Sequence, residues 1–250
     1  MEELKKGNGV PLYYQLKTIL RGKIESGEWE PGEQIQSEPE MSASFQVSRA
    51  TIRQAIAGLV DEGLLIREQG RGTFVARPKL EQGLLGFYSF TGDMLKRGLR
   101  PTSRIVSVTV TAATRSVGKR LLIAQGTRVV ALTRLRLADD EPLMLETSYL
   151  PSSAFPRLED CDFSAKPLYE IMAERYGTMP VRAKEAFEPV LVDEFEGSML
   201  GVRPGSPGLL LERLTYARDD VPVEYCRGIV RGDRCRYYVE LVVESKANQE

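Results

Sequence analysis

The chain of 250 residues contains no histidine. That absence removes imidazole general-base chemistry, Ser-His-Asp triads and the usual zinc and iron sites, so most enzyme classes lose a central residue. Cysteine is scarce as well. Cys161, Cys226 and Cys235 are odd in number, widely spaced and without a CxxC pair, a pattern of reduced thiols rather than of a disulfide framework or metal site. No cofactor and no metal are expected. Apolar runs such as Leu121-Leu122-Ile123-Ala124 stop far short of the roughly 20 residues a membrane span needs. The start, Met1-Glu2-Glu3-Leu4-Lys5-Lys6-Gly7, lacks a secretory core, so a cytoplasmic chain without membrane contact is expected. Basic excess is missing too: net charge is −1, and residues 1–78 hold 10 Lys and Arg against 11 Asp and Glu. What remains, 42% hydrophobic and 28% charged, is the composition of one or two globular domains.

The first 78 residues carry the sharpest local signals. Tyr13, Leu16, Leu20 and Ile24 recur at helical spacing between Pro11 and Gly27, which predicts a helix over 11–26. Ser37 with Glu40 makes a capping box, and Pro39 falls in the first turn of a short helix that buries Met41 and Phe45. Ser48 then caps a third helix. Val47 staples onto Ile52, the core face is Ile52, Ile56, Leu59 and Val60, and Gly63 ends the helix. Arg49 and Arg53 lie opposite, one turn apart. Two short strands, 64–67 and 73–76, flank the tip Gln69-Gly70-Arg71-Gly72-Thr73.

Three helices and a ribbon make a winged helix-turn-helix, expected over 8–78. Its third helix suits the major groove of double-stranded DNA and its ribbon the adjacent minor groove. The expected DNA-binding residues are Ser37, Ser48, Arg49, Thr51, Arg53, Gly70, Arg71, Gly72 and Thr73. Arg49 and Arg53 reach guanine edges or phosphates, Ser48 and Thr51 reach phosphates, and Gly70 and Gly72 let the backbone approach. Because the domain is neutral overall, non-specific attraction to phosphate should be weak.

Residues 79–86 read as a linker and hinge. Beyond it, β-branched runs at 103–111, 128–137, 143–150, 186–191, 208–216, 221–230 and 236–243 alternate with helical stretches near 115–125, 166–176 and 193–201. This predicts an α+β domain of mainly antiparallel strands over 87–245. Leu121, Gly126, Leu132, Arg134 and Leu135 match Leu200, Gly205, Leu211, Arg213 and Leu214 at one offset of 79, and Pro142 matches Pro222 after a one-residue insertion. Each half then reads helix, turn, strand, hairpin, strand, and two halves could close one sheet around a cleft.

Strand parity supplies a candidate pocket. Arg134 and Arg136 project from one face, and two guanidiniums together suit a carboxylate or phosphate. Glu146 and Glu224 lie at even spacings from the matched prolines and are expected to share the cleft.

Several motifs also resemble those of the GntR family of repressors. In the first domain these are Pro11-Leu12-Tyr13-Tyr14-Gln15-Leu16, the Ser-Glu-x-Glu helix, Val47-Ser48-Arg49-Ala50-Thr51-Ile52-Arg53-Gln54-Ala55, Leu59-Val60-x-Glu62-Gly63 and Gly70-Arg71-Gly72-Thr73-Phe74-Val75. In the second, Phe87-Tyr88-Ser89-Phe90-Thr91-Gly92-Asp93-Met94, Arg134-Leu135-Arg136, Glu141-Pro142, Glu146-Thr147-Ser148-Tyr149-Leu150-Pro151, Leu168-Tyr169-Glu170 and Arg231-Gly232-Asp233-Arg234 resemble the effector-binding UTRA domain of the HutC subfamily. The resemblance implies a chorismate lyase-like C-terminal fold and an effector site of Ser89, Phe90, Thr91, Arg134, Arg136, Glu146, Tyr169 and Glu224, with the arginines on an anionic group and the glutamates on hydroxyls. It further implies a homodimer on a roughly palindromic operator, released by a small anionic effector: a sugar phosphate, phosphonate or carboxylate. Pro39 stands where many members have an arginine. Pro167 and Val230 replace a serine and a tyrosine of sugar-phosphate-sensing relatives. The alternatives are a DNA-binding protein without effector and a lyase-like enzyme fused to a DNA-binding domain.

Overall fold

A computed structural model describes residues 4–5, 9–68, 70–84 and 89–241. Gln69 of the ribbon tip, Leu85 and Gly86 of the expected linker, the Phe87-Tyr88 pair and residues 242–245 lie outside the described residues. The chain divides into two compact units, Met1–Lys79 and Leu80–Glu250.

In the first unit, α1 (Leu12–Glu25), α2 (Glu38–Phe45) and α3 (Arg49–Asp61) precede a hairpin of β1 (Leu65–Glu68) and β2 (Gly72–Val75). The hairpin is antiparallel, with Leu65 opposite Val75, and Gln34 bridges to Phe74. Each start is fixed by local chemistry. Ser37 and Glu40 complete the capping box of α2, and the Ser48 hydroxyl accepts from the Thr51 amide at the start of α3. At the end of α3, Gly63 takes φ +72°, and the Leu64 amide then reaches the Leu59 carbonyl at 2.9 Å. Leu16, Leu20, Met41, Ile52, Ile56, Leu59, Leu65 and Val75 form the core, with Val47 packed on it as the staple requires.

The second unit is a six-stranded antiparallel sheet in the order β4-β5-β6-β9-β8-β7. Its first half runs β4 (Pro101–Ala112), α5 (Arg115–Leu121), β5 (Arg128–Ala138), β6 (Glu141–Pro151). The second runs β7 (Arg182–Leu191), α7 (Glu194–Leu200), β8 (Pro207–Tyr216), β9 (Pro222–Arg231). The halves meet where β6 pairs with β9. The 79-residue offset extends to the hydrogen bonds: Ala113 N to Thr127 O at 2.8 Å answers Val192 N to Ser206 O at 3.0 Å. Gly126 N to Ala113 O at 2.9 Å likewise answers Gly205 N to Val192 O at 2.7 Å. Gly118 and Gly197 also correspond. A Cβ on either would sit 2.8 Å from a backbone carbonyl, of Ile123 or of Val202.

The sheet has two unlike faces. Leu135, Leu145, Leu210 and Ile229 pack with α7, and Val129 and Tyr225 with α5. On the opposite face lie α6 (Leu168–Tyr176), over Val130, Leu132 and Leu150, and α4 (Phe90–Lys96), near Ala138 and Met144. Between these two helices the sheet turns polar.

Two expectations are corrected. Residues 80–83 of the expected linker are a strand, β3 (Leu80–Gly83), paired in parallel with β10 (Cys235–Tyr238). Leu80-Glu81-Gln82-Gly83 has no β-branched residue, and its partner lies about 155 positions away, so the pairing leaves no local signal. The last strand, expected over 236–243, ends at Tyr238.

Candidate functional site

On the first unit, Arg49 and Arg53 stand exposed on α3, with Thr51 half-buried between them. They differ in company. The carboxylate of Glu38, at the start of α2, accepts from Arg53 Nη2 at 3.1 Å and lies 3.6 Å from Arg67 Nη2. Arg49 makes no ion pair among the described residues. In the hairpin, Gly70 and Gly72 have φ +76° and +127°, conformations a side chain would strain. Arg71 is exposed, pairs with Glu68 and lies 5.5 Å over the Phe74 ring. Thr73 is half-buried, and Ser37 and Ser48 are exposed beside their helix starts. These nine residues therefore belong to α2, α3 and the hairpin. Pro39 is exposed and contributes no charge.

On the second unit, all eight expected effector residues line one cavity of about 240 Å³: Ser89, Phe90, Thr91, Arg134, Arg136, Glu146, Tyr169 and Glu224. The strand residues come from β5, β6 and β9 on either side of the junction between halves; the others from the start of α4, which Ser89 caps, and from the start of α6. Arg134 Nη2 bonds Glu146 Oε1 at 2.6 Å and donates to Ser148 Oγ at 3.3 Å. Arg136 Nη2 donates to Thr91 Oγ1 at 3.1 Å, and its guanidinium lies 4.5 Å over the Phe90 ring. Glu224 accepts from three hydroxyls: Ser148 at 2.7 Å, Tyr169 at 2.8 Å and Thr215 at 3.0 Å.

These charges are deeply buried, with Arg134 and Arg136 each 6% exposed and Glu224 2%. Buried polar atoms normally find partners, yet Arg134 Nε has no hydrogen-bond acceptor among the described residues. Burial works to raise the Glu146 carboxyl, but the Arg134, Arg136 and Arg213 guanidiniums outweigh it and hold the group below its usual range. Burial, then the charge of Glu224, pushes the Tyr169 hydroxyl up, so it remains a donor. Burial, then Glu146 and Glu224, likewise pushes up the Cys226 thiol, a poor nucleophile in that state. The cavity is equipped to hold a small polar molecule by hydrogen bonds and charge.

Comparisons with known proteins agree with both units. Residues 12–75 match the model for bacterial regulatory proteins of the gntR family, and residues 96–236 match the UTRA domain. The chain belongs to the GntR family of bacterial regulatory proteins. Within that family it is 38% identical over 232 residues to the HTH-type transcriptional repressor NagR of Bacillus subtilis, covering 92% of this chain and 95% of that one. It is 32% identical over 216 residues to the HTH-type transcriptional repressor PhnF of Mycolicibacterium smegmatis, covering 86% and 87%. The crystal structure of PhnF from Mycobacterium smegmatis superposes with a TM-score of 0.64 at 30% identity, over 91% of this chain and 99% of that one. Among the described residues no helix is long and apolar enough to cross a membrane.

This GntR-family chain has cavity residues that sequence reasoning missed. Arg213, Cys226 and Met144 line the cavity, and Ser148 and Thr215 hold Glu224. The repeat carried the signal: position 213 is position 134 plus 79, so the second half projects its arginine from the matching site. Pro167 does line the cavity, and a hydroxyl is missing there relative to serine. Val230 does not line it. It is 1% exposed in the apolar cluster with Leu80 and Tyr237, so its side chain bears on β3 and β10 packing.

Proposed function

We propose that the chain is a repressor that holds a roughly palindromic operator as a homodimer and releases it when a small anionic metabolite occupies the cavity of the second unit. Two copies would mirror the two-fold symmetry of such a site in the bacterial cytoplasm. Arg49, Arg53 and Arg71 are the base- and phosphate-contacting cations, with Ser37, Ser48, Thr51, Gly70, Gly72 and Thr73 shaping the approach. Because residues 1–78 are neutral overall, dimerisation supplies much of the affinity that bulk charge would otherwise supply.

One observation carries the effector half of this reading: buried guanidiniums from β5 face a cavity while Arg134 Nε has no acceptor among the described residues. An anion entering there satisfies a donor that the described residues leave unmet, and Ser89, Thr91 and Arg136 frame its other oxygens. A raised Cys226 thiol and a raised Tyr169 hydroxyl suit binding rather than turnover. Effector binding then shifts operator affinity by a coupling of about 1–3 kcal/mol. A thermal-shift screen against metabolite carboxylates, phosphates and phosphonates tests the reading. At least one compound should stabilise the wild type and fail to stabilise Arg136→Ala. If no compound does so, the effector half is wrong and DNA binding without an effector takes its place.

A further inference from the structure

Resting on the anion-binding reading above, we infer that the effector is a zwitterion, with an anionic group against Arg134 and Arg136 and a protonated amine against Glu224. The inference comes from the balance of buried charge. Arg134 is paired with Glu146, and Arg213 with Glu185 on β7. Arg136 reaches the already occupied Glu146 Oε1 only at 3.8 Å. The three buried guanidiniums thus meet three carboxylates in and beside the cavity, Glu146, Glu185 and Glu224, while Glu170 at the rim is exposed and its charge is screened by solvent.

Glu224 is the carboxylate that this arrangement leaves over. Among the described residues no cationic side chain comes within 4 Å of it, and Arg134 and Arg213 approach only through intervening hydroxyls. Its three donors are neutral, and a carboxylate has room for about four. One acceptor position therefore remains. A cavity already balanced in charge is a poor host for a bare anion, because the added charge is buried without compensation. A molecule carrying one charge of each sign leaves the balance intact.

The test is a binding series on the full-length protein with compounds matched except at one group. Glucosamine 6-phosphate, N-acetylglucosamine 6-phosphate and glucose 6-phosphate form one set. The second is 6-aminohexanoate, 6-acetamidohexanoate and 6-hydroxyhexanoate, and amine-bearing and amine-free hits from the wider anion screen are added. Calorimetry should give the tightest Arg136-dependent binding to an amine-bearing compound, with at least tenfold loss on acetylation or on replacement by hydroxyl. Glu224→Gln should erase that preference while retaining the anion requirement. The wild-type comparison alone decides the matter if this variant fails to fold. If the tightest Arg136-dependent ligand has no cationic group, the zwitterion inference is overturned and the anion-binding reading stands. If no compound binds in an Arg136-dependent way, both fall.

Discussion

Arg49 and Arg53 stand in solvent on the first unit, whereas Arg134, Arg136 and Arg213 are buried in the second, and the same side chain does different work in each. On α3, Arg49 makes no ion pair among the described residues and Arg53 makes only an exposed one with Glu38, so removing either leaves nothing buried and unpaired. In the cavity Arg134 also supports the fold, because Glu146 is buried against it at 2.6 Å. Arg49 and Arg53 can therefore be replaced with little change in stability. Arg134, buried against Glu146, cannot.

Replacing a buried cavity arginine should cost far more stability than replacing an exposed one on α3. Arg134→Ala leaves Glu146 buried without its 2.6 Å partner and should lower unfolding free energy by about 3–5 kcal/mol in urea denaturation. Arg53→Ala removes only an exposed pair with Glu38 and should stay within about 0.5 kcal/mol of wild type. Equal losses would erase the distinction. On DNA the order reverses. Arg49→Ala and Arg53→Ala should each weaken operator binding by about 1–3 kcal/mol in an anisotropy titration, with relaxed preference wherever the contact is to a base.

The two halves of the second unit offer a finer comparison. Gly118→Ala and Gly197→Ala each force a methyl to within 2.8 Å of a backbone carbonyl, and each should cost about 1–3 kcal/mol. Similar values would support one shared loop geometry; a neutral effect at either position would contradict it. Smaller still is the loss of a cap: Ser48→Ala should cost about 1 kcal/mol by thermal denaturation.

Acid sharpens the contrast between buried and exposed charge. The folded-state pKa of Glu146 lies below its ordinary value of 4.5. Its contribution to stability is therefore complete above about pH 4.5 and is lost as pH falls through the lower folded value. Wild type should lose more stability between pH 6 and pH 3 than Glu146→Gln does. Identical acid slopes would show that the Arg134–Glu146 pair does not couple to folding.

Legibility followed the range of the interactions. Helix α3 was readable to within a residue because Ser48, Val47, Ile52 and Gly63 fix it through neighbours no more than five positions away. Arg134 and Arg136 were placed on one face by strand parity alone. Glu224 required the matched prolines, since β6 and β9 are joined only through the sheet. Strand β3 was invisible because its partner β10 lies at the far end of the chain. Arg213 was visible only as half of a repeat; what makes it part of the cavity is the β5-β6-β9-β8 order, which no local pattern encodes.

In the proposed function, a molecule in the second unit's cavity controls how the first unit holds DNA. The most direct measurement is operator affinity by anisotropy, for wild type and Arg136→Ala, with and without the tightest ligand from the screen. Ligand should weaken wild-type operator binding by about 5- to 150-fold, the range of ordinary allosteric couplings, and leave Arg136→Ala unmoved. A ligand that binds the cavity yet leaves wild-type operator affinity unchanged would show that the cavity does not control DNA binding.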